Sequence, residues 1–155
     1  MSSVFHNVNV KKQWKHDELN NALLSLELRQ KQGLSIHRET VYSILRASAQ
    51  NLEISVIRRL YLLISKSGLL SVSCFGDHLI RLFGSCGCLI EADNVFAEVA
   101  KPSLFTWNAI ISMHVKSGEA ERALQLGCKM REEGFDPDNY ILSCLLNACG
   151  KIQVY

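Results

Sequence analysis

The sequence has little proline, no long hydrophobic run and almost no net charge, and each shortage excludes a class of protein. Two prolines in 155 residues are typical of a helical chain, because proline removes a backbone donor and interrupts helices. No apolar run approaches the roughly 18 residues that a membrane span requires, so we predict no membrane partner. A hydrophobic content of 48% with 21% charged residues excludes a disordered chain. The formal charge of +2 neither requires nor excludes a polyanionic partner.

The sequence also lacks the patterns of a catalytic or metal site. Its six cysteines include no C-x-x-C pair, and Cys86 and Cys88 have no partners at zinc-site spacing, so we expect reduced core cysteines. His37-Arg38-Glu39 matches the H-x-E of zinc deaminases, but no P-C-x-x-C follows it. The five histidines are scattered, and we interpret them as incidental. We therefore predict no enzyme activity, no cofactor and no metal.

The segment 104–138 instead shows a helical hairpin. Apolar residues recur at helical spacing over residues 107–115 and again over 120–130. Gly118 separates the two runs, and Gly134 with Pro137 ends the second, because glycine permits the left-handed end of a helix and proline cannot continue one. A lone hairpin cannot bury both its apolar faces, so neighbours of the same kind are expected.

Those neighbours are visible as internal repeats. Gly33 and Gly68 lie 35 residues apart, Gly87 and Gly118 lie 31 apart, and Gly68 and Gly134 lie 66 apart. The predicted architecture is an all-α solenoid of tandem helix-turn-helix repeats. Its predicted parts are an extension at 1–16, a capping helix at 17–37, full repeats at 38–72, 73–103 and 104–138, and a partial repeat at 139–155. The 31-residue unit should have a shorter second helix or following turn.

The two ends of the array differ from its middle. The capping helix is expected to begin at Asp17 as its N-cap. The partial repeat at 139–155 has a first helix without a second, so we expect an exposed apolar face there. Its candidate residues are Ile141, Leu145, Leu146 and Cys149. Residues 1–16 contain no acidic residue and three lysines, which leaves a transit peptide and an untethered terminus both open.

The hairpin resembles a pentatricopeptide repeat in its Trp107-Asn108 start, its Gly118 turn, its ERAL second helix and its closing Pro137-Asp138. The resemblance covers about residues 17–155, and the 35/31/35 alternation is similar to the long–short–standard arrangement of plant organellar members. It implies a mitochondrial or plastid location. The tetratricopeptide repeat is the nearest competitor, but its W-x-x-L-G-x-x-Y signature is missing and its fixed period of about 34 residues does not fit.

What the resemblance implies is single-stranded RNA recognition, one base per repeat. Carried over residue by residue, Asn108 and Asp138 form the pair that goes with pyrimidines, uracil preferred. Phe105 and Tyr140 would stack the base between them, and Lys116 would contact a phosphate. The alternative interpretations are that Asn108 and Asp138 only cap or solvate a helix edge, and that the two aromatic residues belong to the core between repeats.

The short repeat departs from the family pattern at the same two places. Its residues there are Asp77 and Ser103, where asparagine and aspartate are commoner. An acid at the reading position repels phosphate and cannot donate a hydrogen bond. Base choice in this repeat is therefore undefined, and Cys74 at its stacking position is small.

The RNA-binding hypothesis also has an energetic limit. Stacking contributes about 1–3 kcal/mol per base, against an association cost of about 4–15 kcal/mol. The chain alone should therefore bind RNA weakly, and we expect it to work within a longer array or with other RNA-processing proteins, in processing that includes editing. The rival hypotheses are a protein-interaction scaffold, similar to tetratricopeptide proteins, and a degenerate fragment of a longer protein.

Overall fold

Between residues 14 and 152, the part that the computed structural model describes, the chain forms eight α-helices, one 3-10 turn at Leu69–Ser71 and no strand. The predicted all-α class is confirmed. None of these helices is long and apolar enough to cross a bilayer. The helices are α1 His16–Lys31, α2 Arg38–Ser48, α3 Ile54–Lys66, α4 Ser73–Ser85, α5 Leu89–Glu98, α6 Leu104–Lys116, α7 Ala120–Glu132 and α8 Asn139–Ile152.

The helices are arranged in two layers. Helices α2, α4, α6 and α8 pack directly against one another in that order and form what we call the first-helix layer. Helices α1, α3, α5 and α7 form the second-helix layer, and each of α3, α5 and α7 pairs with the first helix before it. Each first helix therefore contacts neighbours on both sides, except at the ends of the array. The boundaries assigned to the individual repeats stay predictions.

Glycines at the repeat period end the helices. The five glycines with positive φ, at 70 to 87°, are Gly33, Gly68, Gly87, Gly118 and Gly134. After most of them the next backbone N–H donates back into the last helical turn, as from Glu119 to the His114 carbonyl at 2.9 Å and from Phe135 to the Met130 carbonyl at 3.0 Å. This six-residue closure is the Schellman motif, which needs a left-handed residue. The glycine spacing read in the sequence is thus the spacing of the turns that end helices: Gly87 and Gly118 follow first helices, and the other three glycines follow second helices.

The short repeat loses its residues from the second helix. Helix α5 has 10 residues, whereas α3 and α7 have 13 each. Since an α-helix turns once in about 3.6 residues, the difference is close to one turn. The expected shortening is found, and the first helix of that repeat keeps its full 13 residues.

Trp107 joins the short repeat to the one after it. Its side chain on α6 is fully buried. It makes an edge-on contact with Phe96 of α5, with ring centroids 4.8 Å apart, and a tilted contact with Phe135 at 6.4 Å. Aromatic pairs in these geometries add about 0.5–1.5 kcal/mol to the burial of their area. One side chain thereby ties α5, α6 and the turn after α7 together.

Ion pairs link successive helices of the second-helix layer. One of them is bidentate, with the Arg59 guanidinium donating to both carboxylate oxygens of Glu27 at 2.9 and 2.8 Å. Such fork geometry is the strong form of an arginine–carboxylate contact. The pairs between helices are Glu27–Arg59, Arg58–Glu91 and Asp93–Arg122. These pairs lie at the partly exposed side of the layer, so each adds little to stability, and the layer is held mainly by its buried residues against the first helices.

The structure corrects two expectations about the ends. Helix α1 begins at His16 with Lys15 at the N-cap, not with Asp17 there, because the Lys15 N–H donates to the Glu18 side chain at 3.3 Å and closes the first turn one residue earlier. Ile141 was expected to be exposed, but it is fully buried, because α8 packs against both α6 and α7.

Gly76 should resist substitution more than Gly84, although both lie inside α4. A Cβ at Gly76 would lie 2.6 Å from a methyl carbon of Val99, whereas one at Gly84 would lie 2.7 Å from Cγ of Met113. Valine is stiff and methionine adapts. We expect Gly76→Ala to lower the free energy of unfolding by about 1 kcal/mol more than Gly84→Ala. Urea titration of both variants measures this, and equal stabilities would contradict the packing argument.

Candidate nucleic-acid interface

Asp138 is the residue where the third full repeat meets α8. One carboxylate oxygen, Oδ1, accepts the backbone N–H of Ile141 at 2.9 Å. The backbone carbonyl of Asp138 accepts the N–H of Leu142 at 2.9 Å. Aspartate satisfies the unpaired N–H groups at a helix start in this way. The capping interpretation therefore holds for Asp138, but it uses only one of the two carboxylate oxygens.

The second oxygen holds Asn108. The Asn108 amide nitrogen Nδ2 donates to Asp138 Oδ2 at 2.9 Å, across 30 residues of sequence. An ionised carboxylate only accepts hydrogen bonds, so the amide must present its nitrogen to it. The amide oxygen Oδ1 consequently turns away, where it is shielded from solvent and accepts no hydrogen bond within the chain. The structure thus brings together the first pair predicted from the sequence.

The same contacts keep Asp138 ionised. The Ile141 backbone N–H, followed by the Asn108 amide, lowers the pKa of the Asp138 carboxyl below its ordinary value. Hydrogen bonds to the charged form produce such a shift. At neutral pH the carboxylate therefore stays charged, and the orientation of the Asn108 amide is fixed.

The aromatic residues beside this pair lie at the surface. Phe105 is 66% exposed and Tyr140 is 50% exposed. Each is the second residue of its helix, α6 and α8 respectively. The alternative that these two side chains form core between repeats is therefore wrong. They are apolar rings open to a partner.

The short repeat does not reproduce the Asn108 arrangement. The Ser103 hydroxyl accepts the Thr106 N–H at 3.3 Å, and the Ser103 N–H donates to the Thr106 hydroxyl at 3.0 Å, so Ser103 is engaged in capping α6. Asp77 is partly buried, and its Oδ1 has no hydrogen-bond partner in the chain. Burial raises the pKa of the Asp77 carboxyl, against the opposing effects of the Thr106 hydroxyl, Arg81 and His78. No bond joins the second predicted pair.

A cluster on α2 and α4 was not identified from the sequence. The Tyr42 ring meets the His78 ring edge-on, with centroids 5.1 Å apart. The Arg46 guanidinium lies 5.9 Å from the centroid of the Tyr42 ring. Burial, followed by the nearby Arg81, lowers the pKa of His78. The Tyr42–Arg46 spacing of four residues was the available signal, since such residues share a helix face.

Cations mark every member of the first-helix layer. Each of the four first helices carries one such exposed lysine or arginine, and the four recur at 35-residue intervals. The sequence analysis identified only Lys116 among them. Two occupy the ninth residue of their helices and two the thirteenth, one turn further along. Arg81 and Lys116 line a groove of about 410 Å³ between α4 and α6. The four are Arg46, Arg81, Lys116 and Lys151.

His114 has a structural place that the sequence analysis missed. Its side chain is 3% exposed, and its Nε2 lies 2.9 Å from Oδ1 of Asp93 on α5. The interpretation of this histidine as incidental is therefore wrong, because it connects α6 to the preceding repeat. Between residues 14 and 152 no three His, Cys, Asp or Glu side chains are grouped as metal ligands.

Comparison with known proteins identifies the repeats. Residues 102–151 match the PPR repeat family, that is, the pentatricopeptide repeats. They include α6, α7, Asn108 and Asp138. This chain belongs to the pentatricopeptide repeat family. The resemblance noted in the sequence is thus confirmed at the level of the family.

Several pentatricopeptide repeat-containing proteins of Arabidopsis thaliana are similar to this PPR chain. One named chloroplastic is 31% identical over 123 residues, which is 79% of this chain and 20% of that protein. One named chloroplastic/mitochondrial is 37% identical over 112 residues, 72% of this chain and 17% of its own length. One named mitochondrial is 30% identical over 128 residues, 83% and 14% respectively. The PPR chain thus spans a fifth or less of these three relatives.

Asp138 should give the PPR chain a specific pH dependence of stability. Its pKa is lower in the folded chain than the ordinary 3.8, so its contribution is present above that value and is lost as pH falls through the folded pKa. We expect the free energy of unfolding to fall more steeply below about pH 4 in the parent than in Asp138→Asn, since asparagine also caps helices but does not titrate. Urea unfolding at a series of pH values measures this.

The matched control for that experiment is Asp136→Asn. Asp136 is a carboxylate in the same connection, but it does not cap α8. This variant should keep the parent slope, because Asp138 alone supplies the carboxylate oxygens that cap α8 and hold Asn108. Identical acid profiles for Asp138→Asn and the parent would show that folding does not lower the pKa of Asp138.

Proposed function

We propose that this PPR chain is a sequence-selective module for single-stranded RNA, in which Asn108 reads one pyrimidine base, uracil preferred. The observation that supports the proposal most directly is the 2.9 Å hydrogen bond from the Asn108 amide to Asp138. This bond holds the Asn108 amide, which has both a hydrogen-bond donor and an acceptor, in one orientation on the first-helix layer. The proposal involves no catalytic step.

The chemistry of the Asn108 amide suits a pyrimidine edge. An amide nitrogen has two hydrogens, and Asp138 takes one of them. The other hydrogen and the unpaired Oδ1 form a donor–acceptor edge, which is complementary to the acceptor–donor edge of uracil. Because Oδ1 is shielded from solvent, a base can reach it only if the side chains above it shift. Part of the binding energy is therefore spent on that movement.

The exposed rings supply the second part of the site. Phe105 lies on α6, the helix that carries Asn108, and Tyr140 occupies the equivalent position on α8, the next first helix. Stacking of a base on an aromatic ring contributes about 1–3 kcal/mol to binding, and every base can stack in this way. Affinity would therefore come mainly from these rings, and selectivity from Asn108.

The cations of the first-helix layer supply the third part. Lys116 and Arg81 face a common groove between α4 and α6, and Arg46 and Lys151 continue the row on α2 and α8. Lysine and arginine neutralise phosphates with the release of counterions. A strand lying along this row would meet one cation for each first helix. Asp77 and Ser103, which are not paired with each other, would define base choice poorly at the short repeat.

The cellular setting follows from the relatives. Their names place them in the chloroplast or the mitochondrion, and we propose an organellar location and a role in organelle RNA processing, including editing, for this chain. We also propose the long–short–standard order for its repeats. Since the chain spans only 13 to 26% of the relatives it matches, weak binding by this chain alone is expected, with other RNA-processing proteins as partners.

Asn108→Ala should remove base preference without removing binding. In the parent chain we expect a pyrimidine-rich single strand to bind more tightly than a purine-rich strand of equal length. In the variant the two affinities should approach each other to within about threefold, because one discriminating hydrogen-bond pair contributes about 1 kcal/mol. Fluorescence anisotropy at low salt with both strands measures this.

The control for base reading is Gln125→Ala, which also removes an amide group. Gln125 is exposed on α7 in the second-helix layer, away from the proposed reading pair and from the groove between α4 and α6. This variant should keep the parent preference. Absence of RNA retention by the parent chain at every salt concentration would reject the proposed function.

Lys116→Gln and Arg81→Gln should weaken RNA binding equally for all sequences. Each removes one phosphate contact, so the slope of log affinity against log salt concentration should decrease by about 0.7 for a single strand. Lys129→Gln is the matched control, because Lys129 is exposed on α7 in the other layer. If Lys129→Gln lowers the slope as much as Lys116→Gln, the strand does not follow the first-helix layer.

A further inference from the structure

Three nitrogen-bearing side chains lie together on α2 and α4, which are neighbours inside the first-helix layer. The Tyr42 ring on α2 contacts the His78 ring of α4 edge-on, with centroids 5.1 Å apart. The Arg46 guanidinium lies 5.9 Å from the centroid of the same Tyr42 ring. Arg81 follows His78 by three residues, a spacing that puts both side chains on one side of the helix. We call Arg46, His78 and Arg81 the α2–α4 cluster.

The arginines of this cluster have no counterion within the described chain. Between residues 14 and 152 neither Arg46 nor Arg81 forms an ion pair, and both are exposed. The arginines of the same region that do pair with a carboxylate all lie in the second-helix layer, and they are Arg58, Arg59 and Arg122. Positive charges that lie close together repel each other. The α2–α4 cluster therefore favours an anion from outside the chain.

His78 is the member of the cluster whose charge can change near neutral pH. Burial, followed by the positive charge of Arg81, lowers the pKa of His78; Asp77 opposes this shift and Arg46 adds to it. Tyr42 is the other titratable side chain beside the ring. An anion held by the cluster would offset the repulsion from both arginines and favour the charged imidazolium. Binding of such an anion should therefore take up a proton.

The ring of His78 is held in place, but its nitrogens are open to a ligand. The side chain is half-buried, and its contact with Tyr42 limits the movement of the ring. No residue between 14 and 152 forms a hydrogen bond with it, and neither ring nitrogen is shielded from solvent. A protonated imidazole has two N–H donors. It can therefore donate to a phosphate oxygen beside the guanidinium groups.

The carboxylate of Asp77, the preceding residue, lies toward another helix. Successive residues of a helix are about 100° apart, so Asp77 and His78 do not share a side of α4. Burial raises the pKa of Asp77, and the Thr106 hydroxyl on α6 opposes that shift, whereas the His78 ring contacts Tyr42 on α2. Helix α4 packs between α2 and α6. The carboxylate is therefore on the α6 side of α4, and the α2 side stays open to an anion.

A titratable cation of this kind occurs once in the described first-helix layer. His78 is the sixth residue of α4, and the sixth residues of α2, α6 and α8 are not cationic at neutral pH. Those residues are Ser43, Ala109 and Cys144. A contact that depends on a proton would therefore be confined to the place where α2 meets the short repeat.

We propose that Arg46, Arg81 and protonated His78 bind one phosphate of an RNA strand between α2 and α4. This inference rests on the proposed RNA-binding function and adds a binding residue to it. Because the ring takes up a proton as the phosphate arrives, RNA affinity increases as the pH falls below about 6.5. The short repeat then contributes affinity through the RNA backbone, while its Asp77 defines base choice poorly.

The test is the affinity of the full 155-residue chain for a uridine-only strand at two pH values. Neither uracil nor a diester phosphate titrates between about pH 5.5 and about pH 7.5, the range in which histidine changes charge. Fluorescence anisotropy with a pH-independent dye, over a series of salt concentrations, measures the affinities. In the parent the slope of log affinity against log salt concentration should be steeper at the lower pH by about 0.7, for one added phosphate contact.

Variants of His78 separate its charge from its packing. His78→Gln should show the same slope at both pH values, because glutamine cannot become charged. His78→Arg, which keeps a positive charge throughout, should show the steeper slope at both pH values. A second readout is the pKa of the His78 ring from NMR, which should be higher with a saturating uridine strand than without it.

His16→Gln is the matched control. His16 is an exposed histidine on α1, in the second-helix layer, where it pairs with Glu53. This variant should keep the pH dependence of the parent. Unchanged circular dichroism and thermal midpoint at both pH values would show that each variant is folded.

Four outcomes with RNA bound would overturn this inference and leave the proposed function standing. The first is an equal change of slope in the parent and in His78→Gln, and the second is an equal effect of His16→Gln and His78→Gln. The third is a pKa of His78 that the strand does not raise. The fourth is a larger rise with a glutamate-rich peptide, which would indicate a protein partner. A parent chain that binds no RNA at either pH would instead reject both proposals.

Discussion

Within one hairpin, each helix can bury only one apolar face against the other helix. The remaining faces are buried because each first helix packs between the first helices of the neighbouring repeats. Helix α6 shows the result most fully, because Trp107, Ile110 and Ile111 are all completely buried. The second helices pack on this layer through their buried apolar residues, and ion pairs such as Arg59–Glu27 connect one second helix to the next. The superhelix thus depends on one continuous layer, and side chains that point away from that layer are free to act on partners.

Asp138 connects this packing to the proposed RNA site. Its carboxylate caps α8 with one oxygen and orients Asn108 with the other. One side chain therefore both starts the next helix and sets the orientation of the proposed base-reading amide. A change that moved α8 relative to α6 would also move the amide. In the short repeat Ser103 caps α6 but bonds to Thr106 instead of Asp77, because its short hydroxyl is engaged within its own capping turn. The last residue of each repeat therefore caps the next first helix, but only Asp138 also bonds to the residue at the proposed reading position.

Sequence patterns alone predict the all-α class, the turns and the places of Asn108, Asp138, Phe105 and Tyr140 near the starts of helices. These depend on helical periodicity and on left-handed glycines, which are local properties of the chain. Local patterns do not encode which side chains meet across a repeat, because those contacts depend on how the helices pack. This second group includes the contact of His114 with Asp93, the burial of Ile141 and the separate partners of Ser103 and Asp77.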